Sequence, residues 1–337
     1  MIITIISSLA LAYNRCKGME TEKKPASLLS REGAFLLTNI ILIILVTVIF
    51  TGTFLPKIVE VIRGTKLAID RSFFDRTCGP VMLVLVLLMG ICPVLGWSRT
   101  TWQFIKRNLF YVSIIAIVIA IVVLITGIGN WYALAVIICG IPLGTIFLEW
   151  YRRTRGLHRA REENIIRGFF SVLNRNRGRY GGFISHIGVI LIALGIIVSS
   201  FYDIEKTETL SVGESMDIGN YNLTYNELVL KQDNVKLSAV ASLSVNRNNR
   251  RTGIMYPSYD YWFDFNDCFA EVAVRTTPVE DLFVSLVWTS YNPEDNTATF
   301  RVLVNPMVVW IWVGGGFFLV GGAIAFSAKD SLSIIKE

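Results

Sequence analysis

The chain has 337 residues, 53% of them hydrophobic and only 17% charged, with a mean hydropathy of +0.53. That composition excludes an ordinary soluble enzyme and points to a polytopic α-helical membrane protein. The formal net charge is +6, but basic loops on so apolar a chain report topology, so a nucleic-acid-binding role is set aside.

The first residues, MIITIISSLALAY, would cover roughly 20 Å as a helix, too little to cross a bilayer. They lack a basic n-region and a small-x-small cleavage site. Residues 1–33 therefore read as a partial or interfacial helix, or the end of one whose beginning is missing, followed by a cytoplasmic loop. Six apolar runs come next: Ala34–Leu55, Pro80–Trp97, Leu109–Thr126, Trp131–Leu148, Gly182–Phe201 and Met307–Phe326. Each is near the length needed to cross about 30 Å of hydrocarbon. The expected organisation is a helical membrane domain of five spans over residues 34–201, a polar domain over 202–304, and a last span with a cytoplasmic tail over 305–337. Trp97, Trp131, Trp150, Trp310 and Trp312 lie near span ends, as an interfacial belt requires.

Loop charge sets the orientation. Between Trp150 and Tyr180 stand Arg152, Arg153, Arg155, Arg159, Arg161, Arg167, Arg175, Arg177 and Arg179, against Glu162 and Glu163. Arg99, Lys106 and Arg107 mark a second basic loop, and Arg15, Lys17, Lys23, Lys24 and Arg31 a third. Counting spans puts all three on one side, which the positive-inside rule makes cytoplasmic. One loop is discordant: Pro56 to Gly79 carries Lys57, Arg63, Lys66, Arg71 and Arg76 yet falls outside.

Residues 202–304 are then extracytoplasmic, and they are acidic, with about seven net negative charges. TETLSV, YNLTYNELVL, KLSAVASLSV, CFAEVAVRT, LFVSLVW and ATFRVLV alternate with period two, separated by GES, DIGN, NRNNRRTG and NPEDN. Short strands with such turns read as a small all-β barrel or sandwich. Tyr256, Tyr259, Tyr261, Trp262 and Phe263 form an aromatic-acidic loop read as local packing, with a binding face as the alternative. The five cysteines are scattered without metal spacing, and a Cys78–Cys268 bridge is open on sequence grounds.

Of the two histidines, His158 sits among arginines and reads as a solvated surface residue. His186 lies inside the run GGFISHIGVILIALGIIVSSF. An imidazole at membrane depth serves ligation or proton transfer, or else hydrogen-bonds to a neighbouring helix near the headgroups. Gly181, Gly182 and Gly188 around it would admit a flat macrocycle or a neighbouring helix. No nucleophile–base pair, phosphate loop or zinc motif is visible, so catalytic residues are unassigned.

Six stretches carry a family resemblance: SREGAFLLTNI, RSFFDRTCGPVMLVLVLLMGICPVLGW, RYGGFISHIGV, SSFYDIEKTETLSVGES, EVAVRTTPVEDLFVSL and FRVLVNPMVVWIWVGG. In this order they resemble the C-terminal half of CcmF, the haem lyase of cytochrome c maturation, in split or truncated form. The tryptophan-rich WWD motif of that family's N-terminal half has no counterpart here. The resemblance implies that His186 is one axial ligand of the iron of a b-type haem (haem b). The second ligand would come from a partner, and substrate haem would bind transiently. Haem lyase joins haem vinyl groups to reduced cysteine thiols of apocytochrome c, and the electron for the iron is thought to come from quinol. Implied partners are the WWD-bearing N-terminal half, the haem chaperone CcmE, apocytochrome c and the thiol-handling subunit CcmH. Alone, this chain would be an inactive component in the cytoplasmic (inner) membrane. Arg275, Thr276 and Thr277 with Glu280 and Asp281 read as a structural turn and salt bridge, with haem-propionate or partner contact as the alternative. Trp310 and Trp312 read as belt anchors, then as quinone or haem neighbours. Two further functions stay open. One is a haem-free scaffold that docks maturation partners. The other is a transporter of haem or another small molecule, marked by helix breaks at Gly90–Pro93 and Gly140–Pro142.

Overall fold

The computed structural model describes residues 6–8, 10–11, 13–14, 31–65, 69–92, 110–111, 113–121, 130–161, 165–201, 203–248, 250–292 and 296–327. They fall into two compact units, Met1–Ile121 with Gly140–Glu149, and Val122–Cys139 with Trp150–Glu337. Among the described residues four helices are long and apolar enough to cross a membrane: Glu32–Arg63, Ser72–Gly90, Arg177–Ser200 and Val309–Phe326.

In the first unit, α1 (Arg31–Arg63) runs past its apolar core and through Pro56. At 1.5 Å per residue it is about 50 Å long and outreaches the hydrocarbon layer. The hydroxyls of Thr38, Thr47 and Thr53 donate to carbonyls one turn back, at 2.8–2.9 Å, which satisfies them without water. α2 (Arg71–Ile91) starts where the Asp70 carboxylate accepts from the Ser72 amide at 3.2 Å, so Pro80 is inside it and not at its start. The two helices meet where Gly52 faces the rings of Phe73 and Phe74. The discordant basic loop is thus mostly helix: Lys57 and Arg63 end α1, while Arg71 and Arg76 begin α2.

The run Leu109–Thr126 is helical over residues 113–121, and part of it lies outside the described residues. The run Trp131–Leu148 falls inside α3 (Asn130–Arg161), which passes unbroken through Pro142. A Cβ added at Gly90 would come within 2.9 Å of the Pro142 Cα, so that glycine serves close packing. Gly140–Pro142 is therefore not a helix break, and Pro93 lies outside the described residues. Half of the transporter mark is removed, because a continuous helix presents no free half-helix ends to a substrate.

In the second unit, α4 (Ile165–Arg175) and α5 (Arg177–Phe201) lead into ten strands, and α6 (Val309–Phe326) follows them. The strands are β1 (Ile204–Ser211), β2 (Ser215–Ile218), β3 (Tyr221–Gln232), β4 (Lys236–Arg247), β5 (Arg250–Met255), β6 (Ser258–Trp262), β7 (Asp267–Glu271), β8 (Ala273–Thr276), β9 (Glu280–Asn292) and β10 (Thr297–Pro306). One sheet has the order β1-β10-β9-β8; the other is β2-β3-β4-β6-β7, with β5 also paired to β4. The pairings are antiparallel.

Their inner faces share one core. Alternate residues Leu223 and Tyr225 of β3, Leu243 and Val245 of β4, Leu282, Val284 and Leu286 of β9, and Phe300 and Val302 of β10 are buried. The rings of Tyr225 and Phe300 lie 5.1 Å apart across it. Where the register shifts between Tyr225 and Glu227, the Asn226 amide donates to the hydroxyls of Ser242 and Ser244. The expected single strand CFAEVAVRT is divided at Val272: β7 belongs to one sheet and β8 to the other. β2, β5 and β6 were not anticipated. β6 was taken for a loop because its inward residues, Ser258 and Asp260, are polar. Cys78, Cys92, Cys139 and Cys268 are free thiols, so the Cys78–Cys268 bridge is not formed; Cys16 lies outside the described residues.

Candidate functional site

Helix α5 carries His186, and its neighbour α6 decides which way the imidazole faces. Gly181, Gly188 and Gly195 recur every seven residues and form one stripe against α6. A Cβ on Gly188 would lie 2.5 Å from the Gly314 carbonyl oxygen and the Phe318 amide nitrogen. One on Gly181 would lie 2.5 Å from the Ala325 amide nitrogen. Gly314 and Gly321 answer from α6, where an added Cβ would lie 2.6 Å from the Gly188 and Gly181 carbonyl oxygens respectively. Ser185 closes the seam by donating to the Phe318 carbonyl at 3.1 Å. Such backbone-to-backbone contact is how helices associate without a hydrophobic driving force.

At 100° per residue, His186 is about 160° round the helix from Gly188, so its side chain leaves from the face opposite α6. Phe183 and Ile190, one turn to either side, are buried, while His186 itself is half-buried. Gly182, also one turn away on this face, has open space where a Cβ would stand, with no described atom within 4 Å. Of the three glycines expected to admit a macrocycle or a helix, Gly181 and Gly188 are spent on α6 and only Gly182 borders free space. One imidazole next to that opening fits one axial bond to a flat ligand. Among the described residues, no group of three or more His, Cys, Asp or Glu side chains is placed to hold a metal ion. His158 falls within α3, outside the described side chains.

The stretch Thr277–Glu280 forms the expected structural turn. Thr277 accepts from the Glu280 amide at 3.1 Å and donates through its hydroxyl to the Glu280 carbonyl at 2.6 Å. The salt bridge exists, but its cation is Arg247, which donates to Glu280 at 2.5 Å, while Tyr221 donates to the same oxygen at 3.0 Å. Arg275 instead donates to the Thr252 carbonyl at 2.6 Å, beside Gly253. The turn also fastens the last span, since the Trp310 indole donates to the Pro278 carbonyl at 3.0 Å. Trp312 is exposed, as a belt residue would be.

A second polar constellation had no signal in the sequence. Asp260 is fully buried on β6 and is bridged by Lys236 of β4, with Ser258 donating to it at 3.0 Å. Lys236 also reaches Glu271 at 3.4 Å and lies 5.0 Å above the Trp262 ring. Burial pushes the Asp260 carboxyl upward, but hydrogen bonds from Lys236, Ser238 and Ser258 outweigh it and hold the group below its ordinary range. Hydrogen bonding to Asp260 raises the Lys236 ammonium. The aromatic segment is local packing in part, with ring pairs Tyr261–Phe263 and Trp262–Phe265, yet Tyr256, Phe265 and Phe269 are exposed.

Apolar helices of spanning length with an antiparallel two-sheet domain between the last two define an integral membrane protein with a membrane-anchored β domain. No family model matches the chain. Its sequence is similar to those of CcmF cytochrome c-type biogenesis proteins. The CcmF of Haemophilus influenzae is 27% identical over 334 residues, 96% of this chain and 49% of that protein. Those of Pseudomonas aeruginosa and Escherichia coli K12 are 26% and 25% identical, each over 96% of this chain and 48% of their own length. The solved structure of a cytochrome c haem lyase CcmF shares the fold, with a TM-score of 0.72 and 24% identity over 90% of this chain and 46% of that one. The chain spans about half the length of the curated relatives it matches.

Proposed function

We propose that this chain is a membrane subunit of a cytochrome c haem lyase assembly, corresponding to the later half of CcmF, and that His186 provides one axial ligand to a b-type haem. The observation that carries the reading is the half-buried imidazole on the face of α5 turned away from α6, beside the opening at Gly182. The second ligand comes from a partner chain bearing the WWD segment. When bound, the haem supplies one-electron chemistry whose potential follows from ligand type and burial. The chain's own part is positional. The glycine seam turns His186 away from α6, and the β domain, on the extracytoplasmic side of the inner membrane, roofs the site where apocytochrome and substrate haem meet. CcmE, CcmH and quinol are the further partners of this reading.

The test is the absorbance of the purified chain, alone and with the WWD-bearing half. A bis-histidine b-haem spectrum lost in His186→Ala, with the complex still assembled, supports the proposal. Unchanged haem content and reducibility in that variant refute it. The exposed Tyr256, Phe265 and Phe269 favour a second reading, a haem-free scaffold whose β domain docks partners. That reading takes over if wild-type complex carries no haem.

A further inference from the structure

The arginine-rich segment read from the sequence as a topology signal also builds a pocket. A cavity of about 440 Å³ lies where the end of α3, the end of α4 and the start of α5 come together. Arg152 and Arg153 line it from α3, Arg175 from α4, Asn176 from the turn between α4 and α5, and Arg179 and Tyr180 from the start of α5, with the bare backbone at Gly156 also on the wall. Among the described residues that line it, none is acidic. Arg152, Arg153 and Arg175 are exposed, so the cavity opens to its surroundings.

Its depth along the helices is given by the aromatics. Tyr180 is buried and its ring packs 5.1 Å from that of Trp150, a tilted pair at the boundary where the apolar span beginning at Arg177 meets the arginine segment. Tyrosine and tryptophan at the end of a span mark the headgroup layer. Arg179 lies 5.6 Å from the centre of the Phe183 ring, an aromatic brace for its guanidinium at the same level. Four forked cations in a headgroup-level cleft match the oxygens of a phosphodiester, which guanidinium groups grip with paired N–H donors.

We propose that this pocket binds the phosphate of an anionic phospholipid headgroup. The chemistry recognised is a phosphate oxyanion. Its source is lipid, because the aromatic pair sets the arginines at headgroup depth, where acyl chains can lie along α5.

The test uses the full chain purified in a zwitterionic detergent, with lipid retention read by native mass spectrometry. The probes are phosphatidylglycerol, phosphatidylcholine and millimolar inorganic phosphate. Phosphatidylglycerol should be retained at least about tenfold more strongly than phosphatidylcholine, a preference that four basic contacts readily supply. Each of Arg152→Gln and Arg175→Gln should cost about fivefold in that retention. Should the glutamine variants fail to fold, Arg175→Lys, which keeps the charge and loses the fork, should weaken retention by a smaller factor. Arg250→Gln with Arg251→Gln, exposed on β5, should leave retention unchanged. The proposal is overturned by equal retention of the two lipids, by wild-type retention in the pocket variants, or by an equal loss in the β5 control. Displacement of phosphatidylglycerol by inorganic phosphate would likewise overturn it, assigning the site to a soluble oxyanion.

Discussion

Gly188→Ala tests whether α5 and α6 are joined by direct backbone contact at the glycine seam. The new methyl carbon would sit 2.5 Å from the Gly314 oxygen and the Phe318 nitrogen, both backbone atoms that cannot rotate aside. Reaching ordinary contact requires the helices to part by about 1 Å, a gap that forfeits a quarter to a half of each dispersion contact along the seam. Overpacking of this kind costs about 1–3 kcal/mol, against about 1 kcal/mol regained because alanine is the better helix former. The net expectation is a loss of up to about 2 kcal/mol, which lowers the Tm of the purified chain by up to roughly 3 °C if its unfolding entropy follows that of soluble domains. Gly195→Ala should cost less, since its nearest contact is the movable side chain of Ile311 at 2.7 Å. Gly182→Ala meets nothing within 4 Å among the described atoms and should be neutral or slightly stabilising. Tm is read by intrinsic fluorescence in one detergent for the whole series. Equal effects of Gly182→Ala and Gly188→Ala, or a raised Tm for Gly188→Ala, would refute the assignment of the seam.

The β domain carries two further tests. Lys236→Met leaves the fully buried Asp260 carboxylate with only its serine donors and should destabilise the domain by about 3 kcal/mol, the low end for a broken buried pair, read from denaturant midpoints at neutral pH. Because Asp260 is held below its ordinary range, its contribution is present above about pH 4 and is lost as the pH falls through the lowered folded value. Lys236 is held above its ordinary range, so its contribution is whole below the usual lysine value and fades only as the pH rises through the raised one. The variant should therefore be flatter in acid than wild type; an unchanged acid limb would contradict the coupling. Glu280→Gln removes the charge that Arg247 and Tyr221 share and should cost about 2 kcal/mol. Faster amide exchange at the Tyr221 end of β3 and the Glu280 end of β9 is the expected readout, and unchanged exchange there would show the turn to be held by Thr277 alone.

What the sequence made legible followed from periodicity. Runs of uniform hydropathy marked helices that the structure contains, and strict alternation marked β3, β4, β9 and β10, whose inner residues are apolar. β6 was missed because the residue it turns inward is an aspartate, whose partner Lys236 lies 24 residues away on another strand. β5 was hidden in NRNNRRTG, where charged residues face outward from a strand that only its pairing with β4 reveals. At Pro56 and Pro80 the helices extend beyond the apolar runs, because both prolines lie inside helices. At the site, the sequence singled out His186 and its glycines without sorting them. Only the register of α5 on α6 separates Gly181 and Gly188, which pack, from Gly182, which is open.

The glycines of the seam have a cause beyond helix packing. α5 runs into β1 and α6 leaves from β10, and these two strands are hydrogen-bonded neighbours from Ile204 opposite Val304 to Ser211 opposite Thr297. Paired strands lie about 4.8 Å apart, whereas ordinary helix pairs need 8–10 Å between axes. Two helices fed by adjacent strands must splay or approach unusually closely, and the absence of side chains at Gly181, Gly188, Gly195, Gly314 and Gly321 permits the approach. The Met307 amide bonded to the Val279 carbonyl at 2.9 Å and the Trp310 indole bonded to Pro278 then fix the second helix to the sheet. Strand pair, turn and helix pair thus form one continuous element that runs from the β domain to the helix carrying His186.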